Sequence, residues 1–301
     1  MQYEEFNWSC DGHTLSVGMD SSGAGSRVLL LPALSSISTR REMYPLLDEL
    51  ARTHTAITVD WPGFGDLPKP RIDWRPEIYL QFLQHLFTRV IQGPLSVISA
   101  GHAAGYILKY LAMNNTAVEK LVLLSPTWRG PLPTMMGGDR SVFSRLAKAF
   151  DPPVLGALLY GLNVNRYVVG MMARGHVYAD PAWLTEPRML NKLEITKSRG
   201  ARYTSARFVT GRLDPFKSRE EMLEHTSAIH NIPIMNMYSQ SAPRKSRAEM
   251  AALSKLPTIH EQCMAQGKLS FYEEFPGETA EAICRFIAFD AGAQIANSQF
   301  L

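Results

Sequence analysis

Short, continuously apolar runs alternate along this chain with stretches of helical amphipathicity. Thr14–Met19, Arg27–Leu31, Ala56–Asp60, Leu95–Ser99, Lys120–Ser125, Ile232–Tyr238 and Glu261–Gln266 read as strands. Between them, Arg41–Arg52 and Pro76–Gln92 read as helices; in the second, Tyr79, Phe82, Leu83, Leu86 and Val90 recur at the helical period. Ser218-Arg219-Glu220-Glu221 and Ser246-Arg247-Ala248-Glu249 are capping boxes ahead of apolar runs, and a last helix over Gly277–Phe289 follows Pro276. Strands that are apolar on both faces and separated by helices predict a mostly parallel sheet covered on both sides, an α/β fold.

The alternation stops from Gly130 to Arg202, where Leu, Met, Tyr and Val fall on helical spacing and no strand is visible. The pattern predicts an α/β core over residues 1–129 and 203–301, interrupted by a helical cap at 130–202. The cap would lie over the C-terminal edge of the sheet, where such sheets bind ligands. Its most apolar part, Pro153–Met172, is broken by Asn163, Asn165 and Arg166. A membrane span needs ~20 nearly unbroken apolar residues, so a buried or amphipathic helix pair is expected there, and no span.

Composition narrows the partners. With 301 residues, 46% of them hydrophobic, the chain can bury one large core. The formal charge of +3 is too slight to predict binding to nucleic acid or to an anionic membrane. Cys10, Cys263 and Cys284 are odd in number and lack metal-ligand spacing, so they read as free thiols in a reducing, cytoplasmic setting. Met1–Phe6 carries no secretory signal pattern, and no cluster of His, Cys, Asp and Glu is spaced for a metal. A soluble protein with no metal and no cofactor is expected.

The sharpest local signal is Gly101-His102-Ala103-Ala104-Gly105, set between the strand ending at Ser99 and the helical run Tyr106–Leu111. This is the setting and spacing of the G-x-S-x-G elbow, which presents its middle residue on a strained turn. The middle residue here is Ala103, and a methyl group cannot attack a carbonyl. Two further stretches join it: Val28-Leu29-Leu30-Leu31-Pro32-Ala33, and Val59-Asp60-Trp61-Pro62-Gly63-Phe64-Gly65-Asp66. With these as an oxyanion loop and a D-x-P-G-x-G turn, the chain resembles the α/β-hydrolase superfamily over nearly its whole length. Together with Pro126-Thr127-Trp128-Arg129-Gly130-Pro131, the pattern also resembles hydrolase-like proteins of photosynthetic microbes and plastids.

The resemblance implies an α/β-hydrolase fold and says where a nucleophile, a histidine base, an orienting acid and oxyanion donors would stand. The nucleophile position falls on Ala103. Gly267–Pro276 aligns with a Gly-His pair ahead of a Glu-Glu-x-Pro helix start, which puts Lys268, or Leu269 with the loop shifted by one, in the histidine position. Ile234–Pro243 aligns with the penultimate strand and puts Ala242 in the acid position. Pro32-Ala33 replaces a frequent His-Gly, although backbone N–H groups of Leu34 or Ser35 could still serve. Asp214, in Gly211-Arg212-Leu213-Asp214-Pro215, is an alternative acid. That register calls for a histidine near Tyr238–Pro243, and there is none, so Asp214 also reads as a turn residue.

Among the eight histidines, His102 flanks the elbow and His260 lies near the last strand. Trp128, Met135, Met136, Met171 and Met172 read either as a soft pocket wall or as core packing. Three functions follow. The favoured one is a non-hydrolytic protein that binds a small apolar or amphipathic ligand, or a protein partner, under the cap, using Leu34, Ser35, His102, Ala104 and Trp128. The second is an esterase- or lipase-like hydrolase using Ser35 or Ser99 with Lys268 as base and Asp214 as its partner. The third is an ordinary hydrolase whose nucleophile has been replaced by Ala103.

Overall fold

The computed structural model describes residues 1–288. Eight strands form one sheet in the order β1-β2-β4-β3-β5-β6-β7-β8. β1 (Gln2–Cys10) and β2 (His13–Ser22) form an antiparallel hairpin, and β2 pairs antiparallel with β4 (Thr55–Val59). From β4 through β3 (Arg27–Leu31), β5 (Leu95–Ala100), β6 (Val118–Leu124), β7 (Ile234–Ser239) and β8 (Ile259–Met264) every pairing is parallel.

The central strands are buried on both faces because each face is covered by helices. Leu29, Leu31, Val97, Leu121 and Leu123 join one core with Tyr79 and Phe82 of α2 (Pro76–His85) and Tyr106 and Ile107 of α3 (Ala103–Met113). Their sequence neighbours Val28, Leu30, Ile98, Val122 and Leu124 point the other way. They pack with Leu46 and Leu47 of α1 (Tyr44–Leu50) and Ile283 of α13 (Pro276–Ala288). This alternation is the period-two geometry of a strand, applied to runs that are apolar on both faces.

The seven strands expected from the sequence form, each displaced by a few residues at most. β1 was not among them, because it is an edge strand whose side chains are mostly exposed and polar. The last helix ends, as described, at Ala288; Phe289, assigned to it from the sequence, lies outside the described residues.

Between β6 and β7 the chain is helical: α4 (Pro131–Met136), α5 (Ser141–Ala149), α6 (Pro153–Asn163), α7 (Arg166–Met172), α8 (Glu186–Lys197), α9 (Ala201–Val209) and α10 (Arg219–Ser227). α9 runs past Arg202 to Val209 and contacts α4, α5, α6 and α8, so it packs as part of the inserted helices. Pro153–Met172 forms the expected helix pair, α6 and α7, but the apolar face of α6 is turned to solvent. Val154 is 84% and Leu158 61% exposed. Met135, Met136 and Met171 are exposed as well and Met172 is half-buried, whereas Trp128 is buried. The remaining α-helices of the described residues are α11 (Arg244–Leu253) and the single turn α12 (Phe271–Glu274).

Candidate functional site

The turn that follows β5 falls two residues earlier than the G-x-S-x-G spacing predicts. Gly101 takes the left-handed backbone, with φ +53°, directly after the last strand residue. Its N–H donates to the carbonyl of Leu124 at 2.9 Å, and its own carbonyl accepts from Thr127 N–H at 2.9 Å. Ala103 instead begins α3 and has no exposed surface. The position presented at the sheet edge is therefore glycine, for which this φ costs nothing. A Cβ at Gly101 would lie 3.1 Å from Cβ of Ala33, which places residue 101 against the loop after β3.

That loop is already engaged. Ala33 N–H donates to Glu42 Oε1 at 2.7 Å, and Ser35 and Ser38 share a hydroxyl hydrogen bond of 2.8 Å. Leu34, His102, Ala104 and Trp128 are all buried, and Ser35 is partly so. A cavity of about 10 Å³ lies among Ser35, Ser36, Gly63, Gly65, Thr204 and Ser205. That volume holds about one water. A larger cleft of about 190 Å³, lined by Gln84, Phe87, Leu95, Tyr110 and Asn114, sits at the opposite end of β5.

His102 is turned into the core. Its Nε2 lies 2.9 Å from the carbonyl oxygen of Leu213, which also accepts from Tyr106 Oη at 2.6 Å. Burial pushes the imidazole down to about 4, so it is neutral at pH 7. A neutral ring facing a carbonyl carries its proton on Nε2, leaving Nδ1, which has no partner among the described residues, unprotonated. Asp214 Oδ1 is 3.6 Å from the same Nε2 and accepts from Gly130 N–H at 2.7 Å. Burial pushes Asp214 up to about 8. Both groups are thus largely uncharged near neutrality, and the 3.6 Å separation is too long for a hydrogen bond.

The positions expected for base and acid are neighbours. Ala242 is buried in a small apolar cluster with Tyr238 and Met250, against which Leu269 packs. Lys268 Nζ donates to the carbonyl of Arg174 at 2.8 Å. The Ser-Lys arrangement is not assembled: Ser35 bonds Ser38, Lys268 bonds Arg174, and Ser99 Oγ is buried without a partner among the described residues. His260 packs its ring against Phe286, 5.6 Å between centroids. Among the described residues, no group of His, Cys, Asp and Glu is placed to hold a metal ion.

What the sequence did not reveal is a buried polar cluster joining the inserted helices to the core. Glu42 accepts from Tyr272 Oη at 3.2 Å in addition to Ala33 N–H. Glu273 accepts from Tyr178 Oη at 2.8 Å and Lys192 Nζ at 3.3 Å, and Glu274 accepts from the backbone N–H groups of Ala179 and Asp180 at 2.9 Å each. Burial, with the charge of Glu273 nearby, pushes Glu42 up to about 7. A second fastening lies across the insertion. Lys69 Nζ donates to the carbonyls of Gly65 and Leu67 and to Ser198 Oγ, while Thr204 Oγ1 donates to the Gly63 carbonyl at 2.5 Å. In the sequence the first cluster shows itself only through the Glu273-Glu274-Phe275-Pro276 stretch.

A family profile described as the alpha/beta hydrolase family matches residues 28–282. Among solved structures, a bromoperoxidase from Bacillus anthracis is similar at 14% identity and TM-score 0.71, over 95% of this chain and 100% of that one. A thermophilic esterase from Thermogutta terrifontis is similar at 15% identity and TM-score 0.67, over 95% and 98%. The Cif epoxide hydrolase from Acinetobacter nosocomialis is similar at 15% identity and TM-score 0.69, over 95% and 89%. At such identities the likeness is one of fold. No curated protein sequence matches the chain.

Proposed function

This chain belongs to the alpha/beta hydrolase family, and we propose that it is a non-hydrolytic member that works by binding, with its inserted helices acting as a closed cap. One observation carries the reading. The residue held on the left-handed turn after β5 is Gly101, which has no side chain to attack with. The neighbouring facts agree with it. Lys268, in the histidine position, is spent on a carbonyl of the inserted helices, and Ala242, in the acid position, is packed in apolar surroundings. Replacement of one nucleophile alone does not account for three positions without suitable groups.

The binding surface is better placed on the outside of the inserted helices than beneath them. Leu34, His102, Ala104 and Trp128, the residues expected to meet a ligand under the cap, have almost no accessible surface, whereas α6 and α7 present apolar side chains to solvent. The test is a fluorophosphonate probe together with a series of p-nitrophenyl esters applied to the purified full chain. Neither labelling nor turnover above buffer is expected; a serine labelled at stoichiometric yield overturns the proposal.

A further inference from the structure

We propose that the outer face of α5–α7 rests on an anionic lipid surface, so that the protein is held at a membrane without spanning it. The inference deepens the binding reading above by naming the partner. α6 packs through Gly156 and Tyr160 onto Phe150 and onto α9, where Tyr160 shares an apolar cluster with Phe150, Ala201 and Ala206. Its opposite side exposes Val154, Leu155, Leu158 and Leu162 at 84, 52, 61 and 61%. α7, the next helix, exposes Tyr167 at 75% and Met171 at 48%. From Pro152 to Asn165 the sequence contains no charged residue. Scattered exposed leucines are ordinary, but four apolar residues along one side of a helix, with two more exposed on the next, mark an interaction surface.

Charge selects the partner. Residues 130–202 hold ten Lys and Arg against five Asp and Glu, while the whole chain holds 31 against 28. The small positive total therefore conceals a basic insertion on a slightly acidic core. Arg145 and Lys148 stand exposed on α5, beside exposed Leu146, and neither forms an ion pair among the described residues. A second copy of the chain docking by this face would bring Arg145 and Lys148 of the two copies together with no acidic partner on that face to answer them. An anionic bilayer answers both features, taking the apolar side chains at the depth of the acyl boundary and the cations at the headgroup phosphates. No helix of the described residues is long and apolar enough to cross a membrane, so the arrangement is one of lying on the surface.

Co-sedimentation of the full chain with vesicles tests this, using phosphatidylcholine alone and phosphatidylcholine with about 30 mol % phosphatidylserine. Binding at least about tenfold tighter to the anionic vesicles is expected, weakening as salt is raised from about 0.1 to about 0.5 M. The Leu155→Ser/Leu158→Ser/Leu162→Ser variant loses about tenfold or more of that binding with an unchanged circular dichroism melt. Arg145→Glu/Lys148→Glu, which leaves the apolar stripe intact, loses the preference for anionic vesicles. Equal binding to both vesicles, no binding by the wild-type chain, or a concentration-dependent dimer broken by the leucine substitutions overturns the proposal. A fluorophosphonate-labelled serine would instead retire the non-hydrolytic reading and leave the vesicle result standing.

Discussion

Lys268 Nζ lies 2.8 Å from the carbonyl oxygen of Arg174, so the loop after β8 grips the turn that ends α7. A lysine at the C-terminal end of a helix meets carbonyls with no intrahelical partner and the negative end of the helix dipole, and both favour the contact. A few residues on, Glu273 and Glu274 hold Tyr178, Ala179 and Asp180. The segment in which the family resemblance places a base is tied by these hydrogen bonds to the inserted helices.

If Gly101 marks the presented position, Ala103→Ser gains no esterase activity, since its hydroxyl would sit inside the first turn of α3, away from solvent. Gly101→Ser alone should be equally inert, lacking a base and an acid. Rates with p-nitrophenyl acetate check both variants. Rapid turnover by Ala103→Ser would move the nucleophile position back to residue 103 and make the chain an ordinary hydrolase with one residue missing.

Tyr178→Phe removes the phenolic donor from buried Glu273 while keeping the ring in place. Leaving a buried acceptor short of one partner should cost about 1–3 kcal/mol. Urea denaturation measures the loss, and amide exchange between residues 178 and 183 should accelerate more than exchange in β5 or β6. A neutral substitution with unchanged exchange would show that the cluster does not hold the insertion closed.

The central strands could be read directly from the sequence because burial on both faces makes their residues mostly apolar. Val28–Leu31 and Leu121–Leu124 leave no other assignment. The turn after β5 was legible as a turn but not in register. Gly101 and Gly105 have the spacing of the elbow glycines, yet it is Gly101 itself, whose N–H still bonds the Leu124 carbonyl, that takes the left-handed backbone. A spacing rule sees only the two glycines. The fastening escaped because Glu42, Tyr178, Lys192 and Glu273 are far apart in the chain and each has an ordinary solvated reading alone. The outward face of α6 escaped for the reverse reason: its apolar residues predict burial, and only tertiary packing shows that α9 is covered by the other side.

Arg40, in the helical turn ahead of α1, is a buried cation that faces the turn after β4. Its Nε donates to Asp20 at 2.5 Å and its Nη1 to Asp60 at 2.5 Å and Asp66 at 3.1 Å. These carboxylates hold the guanidinium above its ordinary pKa against the opposing effect of burial. Arg40→Met leaves Asp20 and Asp60 buried without their counter-ion, a loss of about 3–5 kcal/mol. Equilibrium denaturation should also show that Arg40→Lys fails to recover most of it, because an ammonium cannot reproduce the planar fork of donors. Full recovery by lysine would reduce the site to simple charge balance.

The buried carboxyl of Glu42 makes stability depend on pH in a definite direction. Its pKa rises from 4.5 unfolded to about 7 folded, through burial first and the charge of Glu273 second, with Lys192 opposing. Below the unfolded value both states are protonated and Glu42 imposes no penalty. As pH climbs toward the folded value, the unfolded chain releases its proton first, so stability contributed by the neutral carboxyl is lost progressively and is gone above it. His102 works the other way, since its lowered pKa removes stability as pH falls from 6.5 to about 4. Asp214, raised to about 8, runs in the same sense as Glu42, so the wild-type profile alone does not isolate either group. Glu42→Gln does, because an amide oxygen can still accept from Ala33 N–H and Tyr272 Oη without ever ionising. The variant should be more stable than the wild type at pH 8 by on the order of 2–3 kcal/mol. The gap should close as pH falls toward the ordinary carboxyl range. Thermal or urea unfolding across that range reads the difference; a variant less stable at pH 8 would mean that Glu42 is ionised and held by Lys192, reversing the assignment.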